Sequence, residues 1–239
     1  MKLLRKTIRL ILRRFGYDVA RLEEKFEHPF DLLDLVVRDY LSKDEEFFFI
    51  QIGASNGIRS DKLYPLICKF HLKGLLVEPL PDQFEELKQN YAGHPQLIFE
   101  NCAIASESGH RSMFRFTRNA PVPDWAHGLA SFDRSHLTKF KDVAHLGEYV
   151  EQIRIPTMTL ARLIHKHNID HVSLLHVDTE GYDSEIIKMT FEADLYPQII
   201  KYEHEHLSAR NNLECKQRLR KNNYLFIDYG RDILAIHNA

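Results

Sequence analysis

Asp178 and Glu180 stand two residues apart in LLHVDTEGYD, directly after the apolar run Leu174–Val177 and before Gly181. Two carboxylates at the end of a buried strand can orient a hydroxyl or take its proton as a bond forms. Their ordinary structural uses are a helix cap for Asp178 and surface charge for Glu180. A second run, KYEHEHL, places Glu203, His204, Glu205 and His206 together after another apolar strand. His204 joins Asp178 and Glu180 as a candidate base. Imidazole and carboxylate also ligate divalent metals, but the spacing is neither HExxH nor another zinc pattern. A solvated loop is the favoured reading, and no metal site is expected.

A second chemistry is ligand binding. The stretch FFFIQIGASNGIRSD carries four apolar residues into a small-residue loop bounded by Gly53 and Gly57. Dinucleotides prefer GxGxxG, which seats a pyrophosphate on a helix N-terminus. This loop is GxxxG. S-adenosylmethionine has no phosphate and needs room for a methionyl chain and a ribose, which a looser loop leaves. Glu78 ends the next apolar run, GLLV, where its carboxylate can accept two hydrogen bonds from a ribose diol. A charged acid straight after a buried strand is poorly explained by packing.

These residues need a scaffold that brings strand ends together. Apolar segments at 47–52, 74–77, 97–100, 172–177 and 198–203 read as strands. They alternate with helical segments at 61–71, 81–91, 160–167, 183–189 and 211–222, and a helix is expected at 27–43. Arg111–Thr117 alternates like an exposed strand, and Ile153–Pro156 reads as a short extended segment. The proline-punctuated stretch Asn119–Arg134 reads as a loop, with Trp125, His127 and Ser131 as candidates to cover an acceptor. Two last strands form a hairpin around Gly230-Arg231. The pattern predicts an α/β fold with a mostly parallel sheet covered by helices on both faces. Ligands of such sheets bind at the carboxyl ends of the strands.

The 239 residues suit one large domain with an extension, and 44% hydrophobic residues supply a core. A formal net charge of −2 gives no case for nucleic-acid binding. Three scattered cysteines suit a reducing, cytoplasmic compartment. Residues 2–15 are basic and amphipathic, with Leu4, Ile8, Ile11 and Phe15 opposite Lys2, Lys6, Arg9 and Arg13. An ordinary helix packed on the domain is the favoured reading; peripheral contact with an anionic membrane surface is the other.

Taken together, IQIGASNGIRSDKLYPLI, GLLVEPLPDQFEELKQNY, NCAIASESG, IRIPTMTLARLI and VSLLHVDTEGYDSEIIK resemble the FkbM family of S-adenosylmethionine-dependent methyltransferases. The resemblance implies a Rossmann-like class I methyltransferase fold: a seven-stranded sheet of order 3-2-1-4-5-7-6 with an antiparallel terminal hairpin, over residues 46–239, with residues 1–45 as a helical extension. It implies O-methylation of a sugar, glycan or polyketide-like hydroxyl. Cofactor contacts are expected from Gly53, Ala54, Asn56 and Gly57, from Glu78 and Pro79, from Asn101, Cys102 and Ala103 beside the adenine, and from Asp178. Gln51 departs from the family, many of whose members have Asp there, near the methionyl amine. The alternatives are an NAD(P)-dependent oxidoreductase on a similar sheet and a non-catalytic adaptor that keeps the fold.

Overall fold

A computed structural model describes residues 31–43, 46–59 and 61–238. The basic segment 2–15 lies outside the described residues. The compact unit runs from Leu33 to Ala239.

Its main sheet is built from β1 (Phe48–Ile52), β2 (Lys73–Val77), β3 (Leu97–Glu100), β8 (Leu174–Val177), β9 (Ile199–Glu203), β10 (Tyr224–Tyr229) and β11 (Asp232–His237). The spatial order is β10-β11-β9-β8-β1-β2-β3. Numbered in chain order within this sheet, that is 3-2-1-4-5-7-6, as the resemblance implied. The pairs β1–β2, β2–β3, β1–β8 and β8–β9 are parallel. Only β11 runs the other way, antiparallel to both of its neighbours. The strand order reverses between β1 and β8, so a crevice opens at the carboxyl ends of these two strands.

Strand alternation divides the sheet. Ile50, Ile52, Leu175, Val177, Ile200 and Tyr202 pack with residues of α5 (Leu160–Lys166), α6 (Asp183–Glu192) and α7 (Ala209–Lys221) into one apolar cluster. Gln51, His176 and Lys201 are buried one position out of phase with them, and so belong to the opposite face. Helix α1 (Leu32–Leu41) buries Leu33, Val37 and Tyr40. The Tyr40 ring meets Phe47 edge-on at 5.5 Å, and its hydroxyl lies 3.1 Å from Nε2 of His171. This helix therefore belongs to the compact unit rather than to the extension in which the sequence reading placed it.

The second sheet departs from expectation. Strands β4 (Ala103–Ile104), β7 (Val150–Met158), β5 (Gly109–Phe116) and β6 (Ala130–Ser131) form a four-stranded sheet in that order. The segment read as an exposed strand is β5, paired along its length with β7. The short extended segment is the nine-residue β7. The expected loop holds a 3-10 turn, Asp124–Gly128, and β6. Phe116, Leu129, Leu137, Val143 and Leu146 give this region a core of its own. Arg115, from β5, pairs in bidentate fashion with Asp82 in the first turn of α3 (Pro81–Asn90), with Nη2–Oδ2 at 2.8 Å. Burial would raise the Asp82 carboxyl, but the guanidinium outweighs it and holds the group at about 2.

Candidate functional site

The loop after β1 is fixed by its two glycines. Gly53 has φ +84°, and a Cβ there would lie 1.8 Å from the carbonyl oxygen of Asp178. The Gly53 and Ala54 N–H groups donate to the Val77 carbonyl at 3.0 and 3.1 Å, and the Asp178 N–H donates to Ile52. One glycine thus locks together the ends of β1, β2 and β8. Gly57, at φ +76°, faces away: a Cβ would lie 2.5 Å from both Leu87 and Tyr91, next to α3. The Asn56 side chain accepts the Ile58 and Arg59 N–H groups, closing the turn. Gly53 and Ala54 line the cavity described below, whereas Asn56 and Gly57, also expected to touch the cofactor, are outside its lining. They shape the loop from behind, because α3 packs on that side.

Glu78 lines the same cavity although its side chain is buried. Its Oε2 accepts the Ser55 N–H and its Oε1 the Leu80 N–H, both at 2.8 Å. Each oxygen retains lone-pair capacity for a further donor. Burial pushes its pKa up to about 7. Pro79, Cys102 and Ala103 lie on the same wall. Asn101 does not: its amide donates to the Glu78 carbonyl at 2.8 Å, so it buttresses the strand end instead of facing the cavity.

The cavity encloses about 1160 Å³ above the carboxyl ends of β1, β2, β8 and β9. Its far wall comes from the second sheet and the segment after it, including Trp125, Ser131, Phe132 and Phe140, while His127 is outside the lining. The cover touches the cofactor loop directly, since a Cβ on Gly128 would sit 2.8 Å from Oγ of Ser55. Polar atoms of lining residues that are buried without a hydrogen-bond partner include Oε1 of Gln51, an acceptor, and Nη1 of Arg59, a donor, near the loop after β1. The Gln51 amide donates to Asp61 at 3.0 Å. Burial raises the Asp61 carboxyl above its ordinary value. An acid therefore stands beside position 51, carried by a residue the sequence reading did not single out.

The other end of the cavity is acidic. Asp178 is open to the cavity's solvent, yet protein surrounds its carboxyl, and that desolvation, with Asp183 and Glu180 nearby, raises its pKa. Asp183 is fully buried and accepts hydrogen bonds from the Thr179 hydroxyl and the Gly181 N–H, holding the turn at the end of β8. Glu180 takes φ +53° on that turn. Glu203, at the end of β9, is pushed up to about 9 by burial and by the acids around it. His206 and His136 complete the group: Nε2 of His206 lies 3.5 Å from Oε2 of both Glu180 and Glu203, and Nε2 of His136 lies 3.7 Å from Oε2 of Glu180. His204 is placed elsewhere. Its N–H donates to Arg231, its Nδ1 lies 3.2 Å from the Asn212 amide, and it does not line the cavity. The turn after β9 sends His206 inward in its stead.

The family model described as "Methyltransferase FkbM domain" matches residues 51–226. The chain belongs to the FkbM methyltransferase family. The match spans the cofactor loop, Glu78, the Asp178–Glu180 turn and the whole second sheet. The FkbM domain's strand order is that of class I S-adenosylmethionine-dependent methyltransferases. No curated protein matches the chain in sequence. Similar solved structures include the precorrin-6y C5,15-methyltransferase of Geobacter metallireducens GS-15, at 10% identity and TM-score 0.43 over 89% of this chain and 90% of that one. The METTL16 methyltransferase domain follows at 12% and 0.48, over 95% and 76%. Aeropyrum pernix fibrillarin, solved with natively bound S-adenosyl-L-methionine, follows at 10% and 0.41, over 80% and 66%. The assignment rests on the sequence match and the strand order, not on these distant likenesses.

Three residues at or behind this FkbM domain's cavity wall were not found from sequence: His206 and Asp61 line it, and His136 lies behind it beside Glu180. His206 was visible in KYEHEHL, but local spacing does not say which histidine turns inward. His136 and Asp61 carried no local signal. Each reaches the site only through tertiary packing: the cover positions His136, and the N-terminal side of α2 (Tyr64–Phe70) positions Asp61.

Proposed function

We propose that this FkbM methyltransferase transfers a methyl group from S-adenosylmethionine to a hydroxyl of a sugar-like, glycan or polyketide-like acceptor. The observation that carries the reading is the complementarity of the cavity's polar atoms to that cofactor. Glu78 offers a carboxylate with room for the two ribose hydroxyls. The orphan acceptor of Gln51, with Asp61 behind it, suits the methionyl ammonium, and the orphan donor of Arg59 suits its carboxylate. Pro79, Cys102 and Ala103 form a small apolar wall suited to adenine. A nicotinamide dinucleotide would bring a pyrophosphate, for which a loop of GxxxG form has no helix N-terminus prepared.

When bound, the cofactor supplies a methyl group on a sulfonium, a leaving group already activated. The protein's work is then to hold the two reactants in line and to remove the hydroxyl proton. We assign this role to Asp178; in support, its backbone contacts the loop after β1 at Gly53 and Ile52, and the residue lines the cavity. Acids and imidazole at that end favour a hydroxylated acceptor, and Trp125, Phe132 and Phe140 add apolar lining suited to the apolar side of a sugar or macrocycle. Incubating the protein with isotopically labelled methyl donor and glycan or small-molecule extracts, followed by mass spectrometry, tests the reading. Label in an acid-stable methyl ether is expected; label found only on nitrogen or carbon would overturn O-methylation.

A further inference from the structure

At the acidic end of the cavity, one side-chain atom each of His136, Glu180 and His206, from three separate elements, lie within 4.8 Å of one another without being hydrogen-bonded to one another. Oε2 of Glu180, Oε2 of Glu203 and Nε2 of His136 are all buried without a hydrogen-bond partner. Nε2 of His206 lies between the two carboxylates, 3.5 Å from each. His136 is 4% exposed, so its free nitrogen cannot be satisfied by bulk water. The two imidazole rings stand nearly perpendicular, at 88° with centroids 5.2 Å apart, and both project toward Glu180.

The separations discriminate between a shared proton and a shared ion. Imidazole and carboxylate bridged by a proton approach to about 2.7–2.9 Å. Here the Nε2 atoms of His206 and His136 stand 3.5 and 3.7 Å from Oε2 of Glu180, and all three atoms lie within 4.8 Å of one another. Donors held about 2.0–2.2 Å from a central tetrahedral ion are separated by about 3.3–3.6 Å along each edge. Leaving Nε2 of His136 and Oε2 of Glu180 buried and unsatisfied costs on the order of 1–3 kcal/mol each, a penalty that one ion between them would remove.

We propose that His136, Glu180 and His206 bind a divalent transition-metal ion, with a fourth position open to the cavity. Two imidazoles and one carboxylate suit zinc or a neighbouring first-row ion; magnesium and calcium prefer oxygen alone. The ligand set departs from the metal-free expectation because His136 comes from α4 (Arg134–Leu137), in the cover, whereas the others come from the turns after β8 and β9. No local spacing could reveal it. Resting on the methyltransferase reading, the inference adds a role for this wall: an ion held there would offer its open position to the acceptor hydroxyl and would supply Lewis acidity that lowers the hydroxyl's pKa.

The test uses the full chain, stripped with a chelator and titrated with cobalt(II), whose visible absorption reports four-coordinate nitrogen–oxygen sites. One cobalt per chain with the intense bands of a tetrahedral site is expected, together with competition by zinc. His206→Ala and Glu180→Gln should each weaken cobalt binding by at least about a hundredfold, with thermal melts establishing that the variants fold. His136→Ala is the riskier variant because its ring is buried, so the other two carry the decision. Absence of tetrahedral bands, or unchanged affinity in both folded variants, overturns the ion site. Calorimetry of the stripped protein with S-adenosylmethionine separates this from the parent reading: cofactor binding without cobalt binding sinks only the ion, whereas cobalt binding without cofactor binding sinks the parent reading and with it the proposed role.

Discussion

The Glu78 carboxylate accepts the Ser55 N–H at 2.8 Å, so the acid that ends the second strand also holds the loop that ends the first. One side chain links two halves of the proposed cofactor site. Glu78→Ala should therefore do two things: remove the ribose acceptor and release the loop. A hydrogen bond to a charged group is worth about 1.5–3 kcal/mol, so affinity for S-adenosylmethionine should fall roughly tenfold to a hundredfold. Calorimetry on the folded variant checks it, and unchanged affinity would remove Glu78 from the site.

Binding should also depend on pH in a stated direction. Burial raises Glu78 to about 7 in the folded protein, above the value of about 4.3 expected in the unfolded chain. Folding stability is therefore lost as pH rises from the unfolded value to about 7, since the folded state holds the proton more tightly. Ribose hydroxyls donating to the carboxylate favour its ionised form, so the cofactor reverses that preference. Affinity should climb as pH rises toward 7 and level off above it, with proton release on binding in the acid range. Calorimetry in buffers of different ionisation enthalpy measures that release, and an affinity flat from pH 5 to 8 in the wild type would exclude Glu78 as the acceptor.

Asp178→Asn keeps the shape of the site and removes the base. Proton transfer by a placed side chain typically contributes about 10²–10⁴-fold; turnover should fall by that order while cofactor affinity stays close to wild type. If instead affinity falls and turnover of the saturated enzyme does not, Asp178 contacts the cofactor and Glu180 is the better candidate for the base.

The two-sheet architecture predicts where the fold is brittle. Arg115 and Asp82 are both largely shielded, with side chains 5% and 12% exposed. Arg115→Ala leaves a carboxylate at the end of α3 with only the exposed Arg118 beside it. Breaking a buried pair from one side costs about 3–5 kcal/mol. Denaturant unfolding should show a loss of that order, and a loss below about 1 kcal/mol would mean that the pair does not pin the second sheet.

The parallel core was legible because each strand is a short apolar run that ends in a glycine or an acid, and each helix begins with a proline, an acid or a capping residue. Gly53 and Glu78 were legible for the same reason: chemistry at a strand end is out of place in a packed core. The second sheet was not. β5 shows one polar face and β7 a mixture, and their pairing joins residues more than thirty apart, which local periodicity cannot report. Asn56, Gly57 and Asn101 were assigned to the cofactor because they fall in the segments that resemble the family's glycine loop and adenine-flanking region. The structure puts them one layer behind, where α3 and the Glu78 carbonyl occupy them. Of the HEH run, His206 lines the cavity and His204 does not, because the backbone of the turn decides which ring points inward.

The most direct measurement is calorimetric titration of the wild-type protein with S-adenosylmethionine, with NADP and NAD run in parallel. The account predicts one S-adenosylmethionine site per chain, weakened in Glu78→Ala, and no heat from either dinucleotide. Binding of a dinucleotide, or of no cofactor at all by a folded protein, would contradict it.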